Sequence, residues 1–156
     1  MVRFKNRYLV VRVVANDGRA LDDGREASST KAQRSVLETL RASVRECFGD
    51  VGAGRSAQSL GVKYCDGFTG VCVVRCDRER AREVRGACAT TREVGGRACA
   101  MEVRHVGGTC ASAKEACVRI VRDVLEEMVQ SGRVKTAELE GLVEARRRVV
   151  ASSVTN

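Results

Sequence analysis

Apolar residues follow two different periods along this chain, and each change of period marks a predicted element. Residues 8–15 alternate, with the odd positions apolar on one face, which predicts a strand. After a polar loop, apolar side chains recur at intervals of three and four over residues 36–47, which predicts a helix with one buried face. Residues 30–33 have the form of a capping box, so we expect this helix to begin at Thr30. The glycine-rich residues 49–54 are expected to end it and turn the chain.

A hairpin, a short helix and a further strand are predicted next. Residues 60–65 and 70–76 are strand-like segments separated by an Asp-Gly turn, so they predict a hairpin with Leu60, Val62 and Tyr64 on one face. Asp77 is expected to cap a short helix that reaches about Cys88, with Ala81, Val84 and Cys88 facing inward, and the Gly-Gly pair at 95–96 is expected to break it. Alternation returns over residues 98–106 and predicts the last strand.

Two amphipathic helices are predicted to follow that strand. A second capping box over residues 112–115 opens the first of them, and the second covers about residues 136–150. The stripe of the first carries Ala113, Ala116, Cys117, Ile120, Val121, Val124, Leu125 and Met128; that of the second carries Leu139, Leu142, Val143, Val149 and Val150. Each stripe has to be buried, either on the second face of the sheet or on a partner protein.

The predicted order β-α-β-β-α-β followed by two helices is the ferredoxin-like pattern, an α+β antiparallel sandwich with two additional C-terminal helices. A chain of 156 residues is long enough for one domain with a single core. No stretch approaches 18 uncharged apolar residues and no secretion leader is visible, so we expect no contact with a membrane.

The net charge of +8 and the pI near 9.4 favour a polyanionic partner, with nucleic acid as the first candidate. The central strand over residues 69–76 has no aromatic side chain, so we expect contacts with phosphates rather than bases stacked on the sheet. Residues 146–148, three consecutive arginines, are interpreted as a solvated helix end. The basic residues expected to converge on one RNA-binding patch are Arg3, Lys5, Arg7, Arg12, Lys63, Arg75, Arg104 and Lys114.

The sequence offers little for catalysis or metal binding. Its eight cysteines form no Cys-x-x-Cys pair and it has one histidine, so buried free thiols are favoured over a zinc module. His105 shares the alternation of Met101 and Val103 and is interpreted as a packed residue at the end of a strand. The glycine-rich residues 51–55 can bind an anion, but a flexible connector is favoured there.

Three stretches in one order carry a family resemblance: residues 1–9, residues 62–76 and residues 105–109. Together they resemble the Pop-five family, a small protein subunit of ribonuclease P and ribonuclease MRP, and its eukaryotic branch in particular. The resemblance covers residues 1 to about 125. Residues 77–100 match only loosely, and the last helix carries no family motif.

We expect one ferredoxin-like RNA- or partner-binding domain over residues 1–130, with residues 131–156 as a C-terminal helical extension of the same domain. The resemblance implies a non-catalytic subunit that stabilises a catalytic RNA. That RNA would bind Mg²⁺, whereas this chain would bind no cofactor itself. The reaction would be hydrolysis of precursor tRNA that leaves a 5′ phosphate, or processing of precursor rRNA in the MRP particle.

The resemblance also implies partners, a location and site residues. The partners are the ribonuclease P/MRP RNA, a TIM-barrel-like protein subunit, other particle proteins and, indirectly, precursor tRNA; the location is the nucleus and nucleolus. The motif residues carried over by position are Phe4, Tyr8, Tyr64, Phe68, Thr69 and Gly70, with Gly107, Gly108 and Thr109 before a helix. Backbone N–H groups at that helix start can bind phosphate, or the three residues can serve the helix start alone.

Two other functions remain open at this point. A stand-alone ferredoxin-like RNA-binding module would bind RNA without a protein partner. A small hydrolase of the acylphosphatase type shares the topology and would need an anion-binding loop at Arg19 or Arg55, but neither loop offers a residue that clearly positions a water molecule.

Overall fold

The computed structural model describes residues 5–155 and contains a five-stranded antiparallel sheet with helices on both faces. The strands are β1 (Asn6–Ala15), β2 (Gly61–Cys65), β3 (Val71–Asp77), β4 (Glu93–Val94) and β5 (Arg97–Gly107). The helices are α1 (Thr30–Ala57), α2 (Ala81–Thr90), α3 (Cys110–Gln130) and α4 (Leu139–Ser153), with 3₁₀ turns at Arg78–Arg80 and Thr136–Glu138. The sequence predicted these elements except β4 and the second part of α1.

The strand order in the sheet is β2-β3-β1-β5-β4, so β1 lies at the centre. β1 pairs with β3 on one side and with β5 on the other. The short strand β4 was not predicted; it pairs with the start of β5 through a turn at Gly95 and Gly96. The prediction that these glycines break the preceding helix was wrong, because α2 already ends at Thr90. Both glycines have positive φ, which suits the turn of a hairpin.

The sheet face covered by α1 and α2 forms the first hydrophobic core. The odd residues of β1 point into it, as the alternation predicted, together with Met101 and Val103 of β5. Ala81, Val84 and Cys88 of α2 also belong to this core, as expected.

The opposite face of the sheet is covered by α3 and α4 and forms the second core. All eight apolar residues predicted for the α3 stripe are buried there, and Val143 and Val150 of α4 are buried with them. Tyr8 and Val10 of β1 contribute from the sheet. The C-terminal helices therefore bury their stripes on the second face of the sheet, one of the two places that the sequence left open.

The residues that cap the helices lie one to three positions earlier than the capping boxes predicted, although α1 itself begins at Thr30 as expected. The hydroxyl of Ser29, not Thr30, accepts a hydrogen bond of 3.2 Å from the N–H of Ala32 at the start of α1. Thr109, not Ser112, caps α3 in the same way. The predicted cap at Asp77 is wrong too, since that side chain makes no capping hydrogen bond.

Helix α1 does not end at the glycine-rich segment. Gly49 adopts φ 70°, which interrupts the helix, and a second helical stretch then continues to Ala57. The predicted break in the helix is therefore confirmed at Gly49, whereas the predictions of a turn over all of 49–54 and of a flexible connector over 51–55 were wrong, because the chain is helical again up to Ala57. Arg55 lies on a helix and not in an anion-binding loop. None of the helices within residues 5–155 is long and apolar enough to cross a membrane.

Candidate nucleic-acid interface

The two basic N-terminal residues that the structure describes, Lys5 and Arg7, lie beside different helices. Arg3 and Phe4 lie outside the described residues. Lys5 is exposed, and its carbonyl accepts a hydrogen bond of 2.8 Å from the N–H of Arg78 ahead of α2. The half-buried Arg7 points the other way, because its Nη1 lies 3.4 Å from the position of a Cβ built on Gly108. Lys5 thus borders α2, whereas Arg7 borders the start of α3.

Two strand arginines of the predicted patch are paired with carboxylates. Arg12 donates a hydrogen bond of 2.8 Å to Glu127 of α3. Arg104 is exposed and donates one of 3.2 Å to Glu102 on the same strand. Because Arg12 is held against α3, it presents less free charge than the sequence pattern suggested.

Two bulges shift the register of the sheet at predicted basic residues. Val10 pairs with His105 and Val11 with Val103, so Arg104 is the extra residue on β5. His105 consequently lies on the face of Val10, and the prediction that it shares the face of Val103 was wrong. Its Nε2 is buried and has no hydrogen-bond partner among residues 5–155.

The second bulge lies at Lys63 in β2. Val62 pairs with Val74, whereas Tyr64 pairs with Val73. Val62 therefore lies in the first core and Tyr64 in the second, contrary to the prediction that they share a face. Lys63 itself is half-buried.

Arg75 and Tyr8 lie opposite each other on β3 and β1. Tyr8 is 1% exposed, and burial together with a hydrogen bond to Cys110 raises its pKa to about 12. Arg75 is half-buried on the same face of the sheet. Tyr8 is therefore a core residue beneath α3, and it anchors the N-terminal strand.

The turn before α3 is closely packed. A Cβ built on Gly107 would lie 2.4 Å from the hydroxyl oxygen of Ser112, so a larger residue would force the Ser112 side chain away from the carbonyl of Thr109, to which it donates a hydrogen bond. Gly108 is exposed beside Arg7, and Thr109 supplies the cap. Lys114, one turn later, donates a hydrogen bond of 2.9 Å to the carbonyl of Ala151 at the end of α4. Arg7, Gly107, Gly108 and Thr109 therefore lie together at the start of α3. The ammonium group of Lys114 is already hydrogen-bonded within the protein.

The hairpin turn that carries the motif is held by a buried ion pair. Asp66 and Arg146 are both fully buried, and Nε of Arg146 lies 2.5 Å from Oδ2 of Asp66. Asp66 also accepts hydrogen bonds from the hydroxyl of Thr69 at 2.6 Å and from the N–H of Phe68 at 3.0 Å. The interpretation of Arg146 as part of a solvated helix end was therefore wrong; it joins α4 to this turn.

The remaining motif residues have structural roles at the same place. The ring of Phe68 lies 5.6 Å from the guanidinium carbons of both Arg25 and Arg146. Gly70 has φ 76° and approaches the carbonyl of Val13 so closely that a Cβ would lie 2.2 Å from the oxygen. Burial raises the pKa of Tyr64, which is 0% exposed. Tyr64 and Gly70 are buried in the protein, whereas Phe68 is half-buried against the two arginines.

Exposed arginines on and before α2 were missed by the sequence analysis. Arg78, Arg82 and Arg85 are exposed and enter none of the ion pairs found among residues 5–155. Their spacing of four and three was the available signal. We call these three residues, together with Lys5, the α2 basic surface.

The cysteines are free, and six of the eight are buried, as predicted. Burial raises the pKa of Cys76, Cys88 and Cys117 to about 12. Within residues 5–155 no three His, Cys, Asp or Glu side chains group closely enough to hold a metal ion. Cys47 is exposed on α1.

Comparison with known proteins gives consistent similarities. The model of the Rpp14/Pop5 family matches residues 7–118. The chain is 34% identical over 120 residues to the ribonuclease P/MRP protein subunit POP5 of Schizosaccharomyces pombe, covering 76% of this chain and 86% of that protein. It is 29% identical over 138 residues to the human protein of the same name, covering 84% of this chain and 78% of that protein. Among solved structures, a chain of yeast ribonuclease MRP aligns with a TM-score of 0.48 and 12% identity, over 85% of this chain and 98% of that chain.

Proposed function

Because the chain belongs to the Rpp14/Pop5 family, we propose that it is a protein subunit of the ribonuclease P/MRP ribonucleoprotein. The observation that carries this proposal is the family match over residues 7–118, which runs from the central strand β1 into α3. It includes the buried turn with Asp66 and the turn before α3. The matched region thus contains the sheet, α1, α2 and the start of α3.

Within the particle, we assign the chain a non-catalytic role in stabilising the RNA. The RNA would bind Mg²⁺ and hydrolyse precursor tRNA to leave the mature 5′ phosphate, and in the MRP particle it would act on precursor rRNA. The net charge of +8 supports contact with RNA. The other proposed partners are a TIM-barrel-like protein subunit and further particle proteins, with precursor tRNA contacted indirectly, in the nucleus and nucleolus.

We infer that the fold is ferredoxin-like with an added edge strand. The order β2-β3-β1-β5 and the placement of α1 and α2 on one sheet face support this assignment. β4 is then an addition at the edge, and α3 and α4 cover the face that the simple fold leaves open. With no open sheet face, RNA has to be bound by helices, loops and strand ends.

The RNA contacts that we retain from the N-terminal region are Arg3, Lys5 and Arg7. Replacing one of them by glutamine should weaken RNA binding evenly across sequences and reduce the salt slope by roughly one. Lys114→Gln is the matched control, since its ammonium group already caps α4. An unchanged slope in all three variants would remove this region from the interface.

The experiment that tests the proposed function is affinity purification of the tagged full chain from its own cells, followed by sequencing of the bound RNA. We expect enrichment of a ribonuclease P-type or MRP-type RNA over the untagged strain. The same eluate, analysed by mass spectrometry, identifies protein partners. Recovery of neither RNA would contradict the proposal.

A further inference from the structure

The α2 basic surface concentrates uncompensated positive charge. Arg78 lies in the 3₁₀ turn that runs directly into α2, and Arg82 and Arg85 follow at spacings of four and three, which places them along one side of the helix. The adjacent side of α2 is buried in the first core through Ala81, Val84 and Cys88. The three arginines are exposed and lie outside this buried face.

The α2 basic surface continues into the N-terminal region. The hydrogen bond from the N–H of Arg78 to the carbonyl of Lys5 joins the start of β1 to the turn before α2. Two acids of this segment lie outside the pair Arg80–Glu83, the half-buried Asp77 and the exposed Glu79. Four basic residues thus share the surface with two carboxylates, and the excess of positive charge fits a phosphate backbone.

An exposed aromatic ring lies beside this surface. Phe48 of α1 is 40% exposed, and its Cζ lies 3.5 Å from the position of a Cβ built on Gly86 of α2. Gly52, one turn later on α1, leaves room beside the Cβ of Phe48. The ring therefore lies against α2 at Gly86, the residue after Arg85. An exposed aromatic ring close to basic residues can stack on an unpaired base.

We propose that the α2 basic surface binds the phosphates of a single-stranded RNA segment and that Phe48 stacks on one of its bases. This inference rests on the proposed function and deepens it, since it adds RNA contacts at Arg78, Arg82 and Arg85, outside the three stretches that carry the family resemblance. Phosphate contacts give the affinity, and the stacked base gives the preference for unpaired RNA.

The test measures binding of the purified full chain to a labelled 20-nucleotide oligouridylate and to an RNA duplex of the same length at several salt concentrations. The triple variant Arg78→Gln, Arg82→Gln, Arg85→Gln should lose about tenfold or more in affinity, and its salt slope on the single strand should fall by about two. The control Arg19→Gln, Arg119→Gln, Arg133→Gln removes the same charge from exposed positions elsewhere. We expect its salt slope to stay near that of the unmodified chain.

The role of Phe48 is tested separately on the same probes. Phe48→Leu should weaken binding to the single strand by about fivefold or more and leave duplex binding unchanged, whereas Phe48→Tyr should keep both. Circular dichroism of each variant verifies that the fold is retained.

Three results would overturn the inference: equal losses in the two triple variants, an undiminished affinity of the α2 variant, or no binding of the unmodified chain to the single strand. Equal weakening of single-strand and duplex binding by Phe48→Leu would overturn the stacking role. None of these results depends on the purification experiment, which reports membership of the particle. A chain that purifies with its RNA but keeps full affinity in the α2 variant would retain the proposed function and lose this surface.

Discussion

Arg146 is buried although the two arginines that follow it in the sequence are exposed. It stands first in a run of three arginines, yet it is 0% exposed and bonded to Asp66 on the hairpin turn. Its Nη2 also donates hydrogen bonds to the carbonyls of Arg25 and Glu26. One buried guanidinium thus connects α4, the hairpin turn and the loop before α1. The next two arginines remain exposed beside Glu144.

We predict that Arg146→Met lowers the free energy of unfolding by about 3–5 kcal/mol, because the carboxylate of Asp66 would stay buried without its cation. Arg147→Met is the matched control at the neighbouring exposed position and should change it by no more than about 0.5 kcal/mol. Urea unfolding followed by circular dichroism measures both values. Equal effects in the two variants would show that the buried pair does not stabilise α4 on the turn.

At the scale of single elements, a pair of substitutions tests which residue caps α1. Ser29→Ala removes the acceptor for the N–H of Ala32 and also the hydrogen bond of 2.7 Å from the Ser29 hydroxyl to Asp22. We predict a loss of about 1 kcal/mol in the free energy of unfolding, measured in urea. Thr30→Ala, the cap that the sequence pattern favoured, should have little effect. A larger loss of stability in Thr30→Ala than in Ser29→Ala would show that Thr30 caps the helix, as the capping box predicted.

The strands and the apolar stripes of the helices were predictable because buried residues recur in the sequence at the spacing of a strand or a helix. The eight buried residues of α3 were all identified in this way. Bulges escape such reasoning, because one extra residue at Lys63 or Arg104 moves everything after it to the other face. The two-residue β4 is too short to show any period.

The candidate site was less predictable than the fold for a related reason. Charge at a sequence position does not reveal whether a carboxylate or carbonyl from a distant element meets it. Arg12 and Lys114 have such partners in Glu127 and Ala151, more than 30 residues away in each case. The side chains of the α2 basic surface have no such partners within the described residues. Only the folded structure shows that they differ in this respect from Arg12 and Lys114.

At the scale of the whole molecule, buried thiols couple stability to pH. Cys76, Cys88 and Cys117 have pKa values raised by burial from 9.0 to about 12. The unfolded chain releases these protons above about pH 9, whereas the folded protein retains them until near pH 12. Their contribution to stability is therefore fully present below pH 9 and is lost as the pH rises from 9 towards 12.

We predict that the urea midpoint, measured in reductant at pH 7.5, 9 and 10.5, falls across the upper two values. Cys117→Ala should be less stable throughout, because it leaves a cavity, but its midpoint should fall less steeply with pH. Parallel curves for the two proteins would contradict a contribution from this thiol.

The central position of β1 has a consequence for the synthesis of the chain. β1 is translated before either strand that pairs with it, and β5 begins roughly 90 residues later. At ribosomal speeds of about 5–20 residues per second, β5 is synthesised on the order of ten seconds after β1. Throughout that time the segment from Leu9 to Val14, which is aliphatic apart from Arg12, lacks its partner β5, and an uncovered segment of this kind is prone to aggregation. The strand that ends up most protected is therefore the most exposed to mispairing on the ribosome.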